Sequence, residues 1–285
     1  MNLRRILRIS GSDARDFLQG LVTNDVGGVD TGLVYAAMLT PQGKYIADFF
    51  LLADSEDILL DVDDTLADSL IQRLSMYKLR ADITIATATL HVHRGTGPAP
   101  DDGHADPRHK ELGWRAYRAT IPEDEPDLTA LRVAHLIPET GIELTPDTFI
   151  LEAGFERLNG VDFKKGCYVG QEVTARMKHK TELRKGLARV SLDGTAEPGA
   201  PITADGKPAG TLHSVAGNQA IAYLRCGRAK GGMLAGGAKV ARACPPVCDL
   251  IAGDQPLETD ADQLTHPLCG VCLDRPVCTN HMQFE

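Results

Sequence analysis

The stretch DFKKGCYVGQE, residues 162–172, gathers chemically capable residues into a short span. Cys167 stands between Gly166 and Tyr168, behind Lys164 and Lys165 and ahead of Gly170, Gln171 and Glu172. A thiol with cations beside it leans toward thiolate, the form that attacks electrophiles and binds soft metals. The flanking glycines let the backbone turn tightly and let a ligand come close. Nucleophilic hydrolysis would also need a base, such as His179, within hydrogen-bond reach. On these residues alone a nucleophile, a metal ligand and a small packed side chain all stay open for Cys167.

The basic character extends beyond the thiol. Between Lys164 and Arg189, a span that includes Arg176, there are eight Lys or Arg and two Glu, in a chain of net charge −9. A local basic strip on an acidic protein suggests one site for an anion rather than a charged coat. The overall charge argues against general nucleic-acid binding, so no direct nucleic-acid contact is expected. No apolar run approaches the roughly 20 residues of a membrane span, and none is expected. The start, MNLRRILRIS, has basic residues with no apolar stretch behind them. A secretory leader is therefore not expected, and a cytoplasmic location is.

A second group of thiols lies at the far end. Five of the seven cysteines fall in residues 244–285. Cys244 and Cys248, then Cys269 and Cys272, have the ligand count for tetrahedral zinc, and thiolates also hold iron–sulfur clusters. The other reading is an extension with too few large apolar residues to fold alone.

These groups need elements to position them. RRILRIS (4–10) reads as a strand. Ser12 is placed to cap a helix carrying Phe17, Leu18, Leu21 and Val22. VYAAML and YIADFFLL read as a hairpin around a Pro41–Gly43 turn. Leu66, Leu70, Leu74 and Tyr77 repeat at helical spacing, and ADITIATATLHV (81–92) alternates as one strand. Residues 95–110 are rich in Gly, Pro, Asp and His and read as an exposed loop, with His104 and His109 solvated. LGWRAYRAT returns to a strand, and DLTALRVAHLIPET is helical up to Pro138. From 183 onward, short strands at close spacing with Gly, Pro, Asp and Asn turns have the texture of a small β-barrel. The expectation is an α+β region over 1–180, a barrel over 181–243, and a Cys-rich tail over 244–285.

KGCYVGQE, Lys165 to Glu172, resembles the signature of the YgfZ family of folate-binding proteins, whose mitochondrial relatives are the IBA57 proteins. FLQGLVTNDV (17–26), MLTPQGKYIADFFLL (38–52), LEAGFERLNGVDF (151–163) and GKPAGTLHSVAGNQAIAYLR (206–225) are similar to further segments of that family. The resemblance covers roughly residues 3 to 243. It implies the fold of the glycine cleavage T-protein, an aminomethyltransferase: two α+β modules in a ring around a folate channel, then a β-barrel. It implies tetrahydrofolate as ligand, and a role in assembly or repair of iron–sulfur enzymes, including those that modify tRNA. Partners would be reduced folate and iron–sulfur client or assembly proteins. The alternative is a folate-dependent aminomethyl or one-carbon transferase. The resemblance gives Cys167 as a functional thiol. It places Asp48 where the transferase has an acidic pair, of which Ala47 replaces the first member, and Glu152 where a carboxylate holds the pterin. Lys165, Gly166, Tyr168, Gly170, Gln171, Glu172 and Arg176 complete the ligand-facing set it suggests.

Overall fold

The computed structural model describes residues 3–180, 183–229 and 231–243. The tail, with Cys244, Cys248, Cys269 and Cys272, lies outside the described residues.

In chain order the elements are β1 (Arg4–Ser10), α1 (Ala14–Gln19), β2 (Val34–Leu39), β3 (Tyr45–Asp54), β4 (Asp57–Asp63), α2 (Asp64–Lys78), β5 (Thr84–Thr87), β6 (His91–Gly95), β7 (His104–Ala105), β8 (Trp114–Arg118), α3 (Thr129–His135), α4 (Gln171–Lys180), β9 (Lys185–Asp193), β10 (Pro201–Ala204), β11 (Lys207–Ala216), β12 (Gln219–Arg225), β13 (Met233–Ala235) and β14 (Ala238–Arg242). Five antiparallel strands form one sheet in the order β2-β3-β4-β1-β5. A second sheet has the order β6-β8-β7, and six strands close into a barrel, β10-β11-β12-β9-β14-β13. The α+β ring followed by a barrel is therefore the architecture present.

The period of two along β3 sorts its side chains to opposite faces. Ala47, Phe49 and Leu51 join a core with Leu70 and Leu74 of α2 and Leu18 of α1. Phe50 and Leu52 join a second core with Phe155, Ile150 and Leu187, and Asp48 shares their face of the strand. One sheet thus separates a helix-covered core from an inner face, and Asp48 is on the inner face. The barrel has its own core around Val190, Leu212 and Ala222.

Three local expectations change. Ser12 does not cap α1: its hydroxyl donates to Asp82 (3.0 Å), and Asp13 accepts from the Asp82 amide (2.8 Å). Both side chains tie the helix start to the segment before β5 instead. The run 81–92 is two strands, because β5 pairs with β1 and β6 pairs with β8 in the other sheet. Alternation marks a strand but not which sheet it joins. The loop 95–110 is exposed over residues 96–99, yet its second half turns inward and buries Asp106. His109 stacks on His135, ring centroids 3.9 Å apart.

Candidate functional site

The inner face holds a cavity of about 420 Å³, lined among others by Asp48, Arg108, Arg115, Arg132, Thr140 and Ile142. Asp48 is 4% exposed. Its carboxylate accepts from the hydroxyls of Tyr35 (3.0 Å), Tyr45 (2.6 Å) and Thr140 (2.6 Å). Burial and the charge of Asp48 push both tyrosine hydroxyls well above their ordinary pKa, so both stay protonated donors.

Next to Asp48 runs a buried ionic chain. Arg4 bonds Asp61 (2.6 Å), Asp61 bonds Arg115 (3.1 Å), Arg115 bonds Asp106 (3.3 Å) and Asp106 bonds Arg108 (2.7 Å). Three guanidinium groups face two carboxylates, so the chain itself carries surplus positive charge toward Asp48. The Arg115, Arg108 and Arg4 guanidinium carbons lie 3.9, 4.8 and 5.8 Å from the Phe50 ring centroid, and that aromatic face favours cations. Burial raises the Asp106 carboxyl, but Arg108 and Arg115 outweigh it and hold it well below the usual carboxylate range. Asp61 is likewise raised by burial and brought down by Arg4 and Arg115. Farther round the wall, Arg94 pairs with Glu125 and Arg132 with Glu143 (2.9 Å). The Nε atoms of Arg94 and Arg132 are buried donors without a partner among the described residues.

Apart from Asp48, none of these groups was legible as a site. Arg108 and Asp106 sit in a stretch whose composition says loop. Arg4 and Arg115 lie on short strands that carry further arginines, Arg5, Arg8 and Arg118, so charge alone did not single them out.

The other site residues are elsewhere. Glu152 does not line the cavity. Its carboxylate accepts from Tyr223 of β12 (2.5 Å), and its carbonyl accepts from Leu187 of β9 (2.9 Å), so it joins the inner core to the barrel. Burial raises the Glu152 carboxyl, partly offset by the Tyr223 bond.

The signature stretch divides into anchors and exposed positions. Lys165 is buried, and its ammonium donates to three carbonyls, of Gln19, Val22 and Asn24. An ammonium has three donors, so none is left for a ligand. Tyr168 packs into the inner core and does not face the cavity. Gly170 has φ +86°, and a Cβ there would meet the Thr40 carbonyl oxygen at 2.6 Å. Lys165 and Gly170 are taken up by backbone contacts, while Tyr168 packs its ring in the core and keeps a buried hydroxyl without a partner among the described residues. Gly166, Cys167, Glu172 and Arg176 are exposed, and Gln171 is half-buried at the start of α4. The Cys167 thiol is free and exposed, which removes the packed-side-chain reading. It is not among the residues lining the cavity.

Residues 184–248 match the CAF17 C-terminal β-barrel domain. The chain is 33% identical to the mitochondrial iron–sulfur cluster assembly factor IBA57 of Mus musculus over 276 residues, covering 80% of this chain and 77% of that protein. It is 30% identical to the mitochondrial IBA57 homolog of Mycosarcoma maydis, covering 68% of this chain and 57% of that longer protein. Among solved structures, the glycine cleavage system aminomethyltransferase T of Bartonella henselae superposes with a TM-score of 0.66 at 12% identity, over 86% of this chain and 84% of that one. That likeness establishes the fold. The cytoplasmic location expected from the first residues is overturned: the relatives are named mitochondrial, which points there instead. A barrel of the CAF17 type, an aminomethyltransferase-like ring and this identity over most of both chains agree, and the chain belongs to the IBA57 family of iron–sulfur cluster assembly factors.

Proposed function

We propose that this protein assists iron–sulfur assembly with two separate features: a reduced folate in the central cavity and the exposed thiol of Cys167. The thiol carries the reading. It is a soft, accessible donor on a loop whose neighbours are anchored, which suits brief contact with an iron–sulfur client or assembly partner. Client enzymes, tRNA-modifying ones among them, would meet this face.

The cavity residues fit a folate. About 420 Å³ is within the range of small-ligand pockets. Asp48 is a carboxylate at its wall, able to accept from the N–H edge of a pterin. The orphan donors of Arg94 and Arg132, both residues of the cavity lining, suit the carboxylates of a glutamyl tail. A bound reduced folate supplies one-carbon chemistry. The chain's own part is to orient it: Tyr35, Tyr45 and Thr140 fix the Asp48 carboxylate by donating to it, which leaves it an acceptor. Glu152 lies outside this cavity and uses one carboxylate oxygen to accept from Tyr223, which leaves its other oxygen open as an acceptor.

The test is complementation. Cells lacking the endogenous factor should regain iron–sulfur enzyme activities with this gene and not with Cys167→Ser at equal abundance. Full rescue by that variant would reject the thiol.

A further inference from the structure

Lys165 is 8% exposed, and its ammonium lies 2.9 Å from the Gln19 carbonyl, 2.6 Å from that of Val22 and 2.8 Å from that of Asn24. Gln19 is the last residue of α1, where helical carbonyls run out of intrahelical partners. Val22 and Asn24 follow in the next turn. The same turn is bound to the approach of the signature loop. Thr23 donates to the Gly160 carbonyl (2.6 Å), the Asp162 amide donates to the Thr23 carbonyl (3.0 Å), and Asn24 donates to the Asn159 carbonyl (2.7 Å).

Beyond Lys165 the contacts thin out to one long bond, from the Gln171 side chain to the Gly166 carbonyl (3.4 Å). A Cβ on Gly166 would touch nothing within 4 Å, and Cys167 is exposed. Contacts resume at Tyr168 in the core and at Gly170 against Thr40. The thiol therefore hangs between two fixed points, and Lys165 is the first.

We propose that Lys165 is a positioning residue for the Cys167 thiol: its ammonium, spread over three carbonyls, fixes one end of the span that presents the sulfur. The proposal rests on the reading of Cys167 as the functional thiol. The grip needs charge and three radiating donors. A planar guanidinium cannot point at three oxygens around one atom, and a neutral side chain leaves three carbonyls unpaired. The carboxylates acting on the ammonium are Asp25 and Asp162, and the Tyr168 ring centroid is 5.3 Å away. Burial lowers the ammonium's pKa to about 8, with those two carboxylates opposing, so the group is largely charged at neutral pH.

Lys165→Ala leaves a slot the size of propylammonium, which makes the charge separable from the chain. Hydrogen exchange on the full-length protein should show amides of 163–168 exchanging at least tenfold faster in this variant, with barrel strands unchanged. Propylammonium should restore protection and propanol should not. In cells, Lys165→Ala at equal abundance should complement no better than Cys167→Ser. Unchanged exchange, equal rescue by propanol, or wild-type complementation would each overturn the proposal. Should the alanine variant fail to fold, Lys165→Arg takes its place, and wild-type protection of 163–168 in that variant overturns the proposal as well. If Cys167→Ser itself complements fully, the thiol reading fails and the positioning role falls with it, while the exchange data still show whether Lys165 holds the loop.

Discussion

Gly170 of the signature and Gly43 of the β2–β3 turn are packed into each other. A Cβ on Gly170 would come within 2.6 Å of the Thr40 carbonyl oxygen, and one on Gly43 within 2.8 Å of Val173 Cβ. Both have positive φ, +86° and +75°. The hairpin whose second strand carries Asp48 and the loop that carries Cys167 are therefore packed directly against each other, although Cys167 does not line the cavity that Asp48 lines.

Gly170→Ala should destabilise the protein by about 1–3 kcal/mol, since it adds both a left-handed penalty and a clash with backbone. Urea unfolding would measure it. A cost within experimental error would show that the loop can withdraw from the turn.

Cys167→Ser should leave stability within about 0.5 kcal/mol of wild type, as expected for a substitution at an exposed position. Thermal unfolding checks this. A larger loss would return the sulfur to a packing role and blur the complementation result.

Asp106→Asn breaks a buried pair and leaves Arg108 and Arg115 short of a counter-charge, which should cost about 3–5 kcal/mol. The pH dependence has a definite sign. Asp106 and Asp61 have folded pKa values below their unfolded ones, so their contribution is present above the ordinary carboxylate range and is lost as pH falls through the folded values. Wild-type Tm should drop below about pH 4, and the Asp106→Asn curve should be flatter there. Parallel curves would contradict the assignment.

Tyr223→Phe and Glu152→Met should each cost about 1–2 kcal/mol and share that cost in the double mutant, because one hydrogen bond is lost in all three. Fluorescence-monitored unfolding of the cycle would show it. Additive losses would mean that the two side chains act independently.

Much of the framework was legible because it rests on periodicity. The hairpin, the second helix and the barrel strands follow from alternating or helical apolar spacing and from turn residues. The site was legible only where a motif marked it. Asp48, Cys167, Glu152 and Lys165 could be named, but not their directions. Lys165 and Glu152 are ionisable residues that fold inward onto carbonyls and a tyrosine, and such partners lie 71 to 146 residues away in the chain. The ionic chain Arg4–Asp61–Arg115–Asp106–Arg108 is assembled from four separate segments, and no local spacing announces it.

Calorimetric titration of tetrahydrofolate into the wild-type protein and into Asp48→Asn tests the central claim most directly. The amide keeps the size and one acceptor but loses the charge that receives the pterin edge. Wild type should bind with one site per chain, and the variant should bind at least tenfold more weakly, about 1.4 kcal/mol or more, as for loss of a charge-assisted bond. No heat with the wild-type protein, or equal affinity in the variant, would contradict folate binding at Asp48.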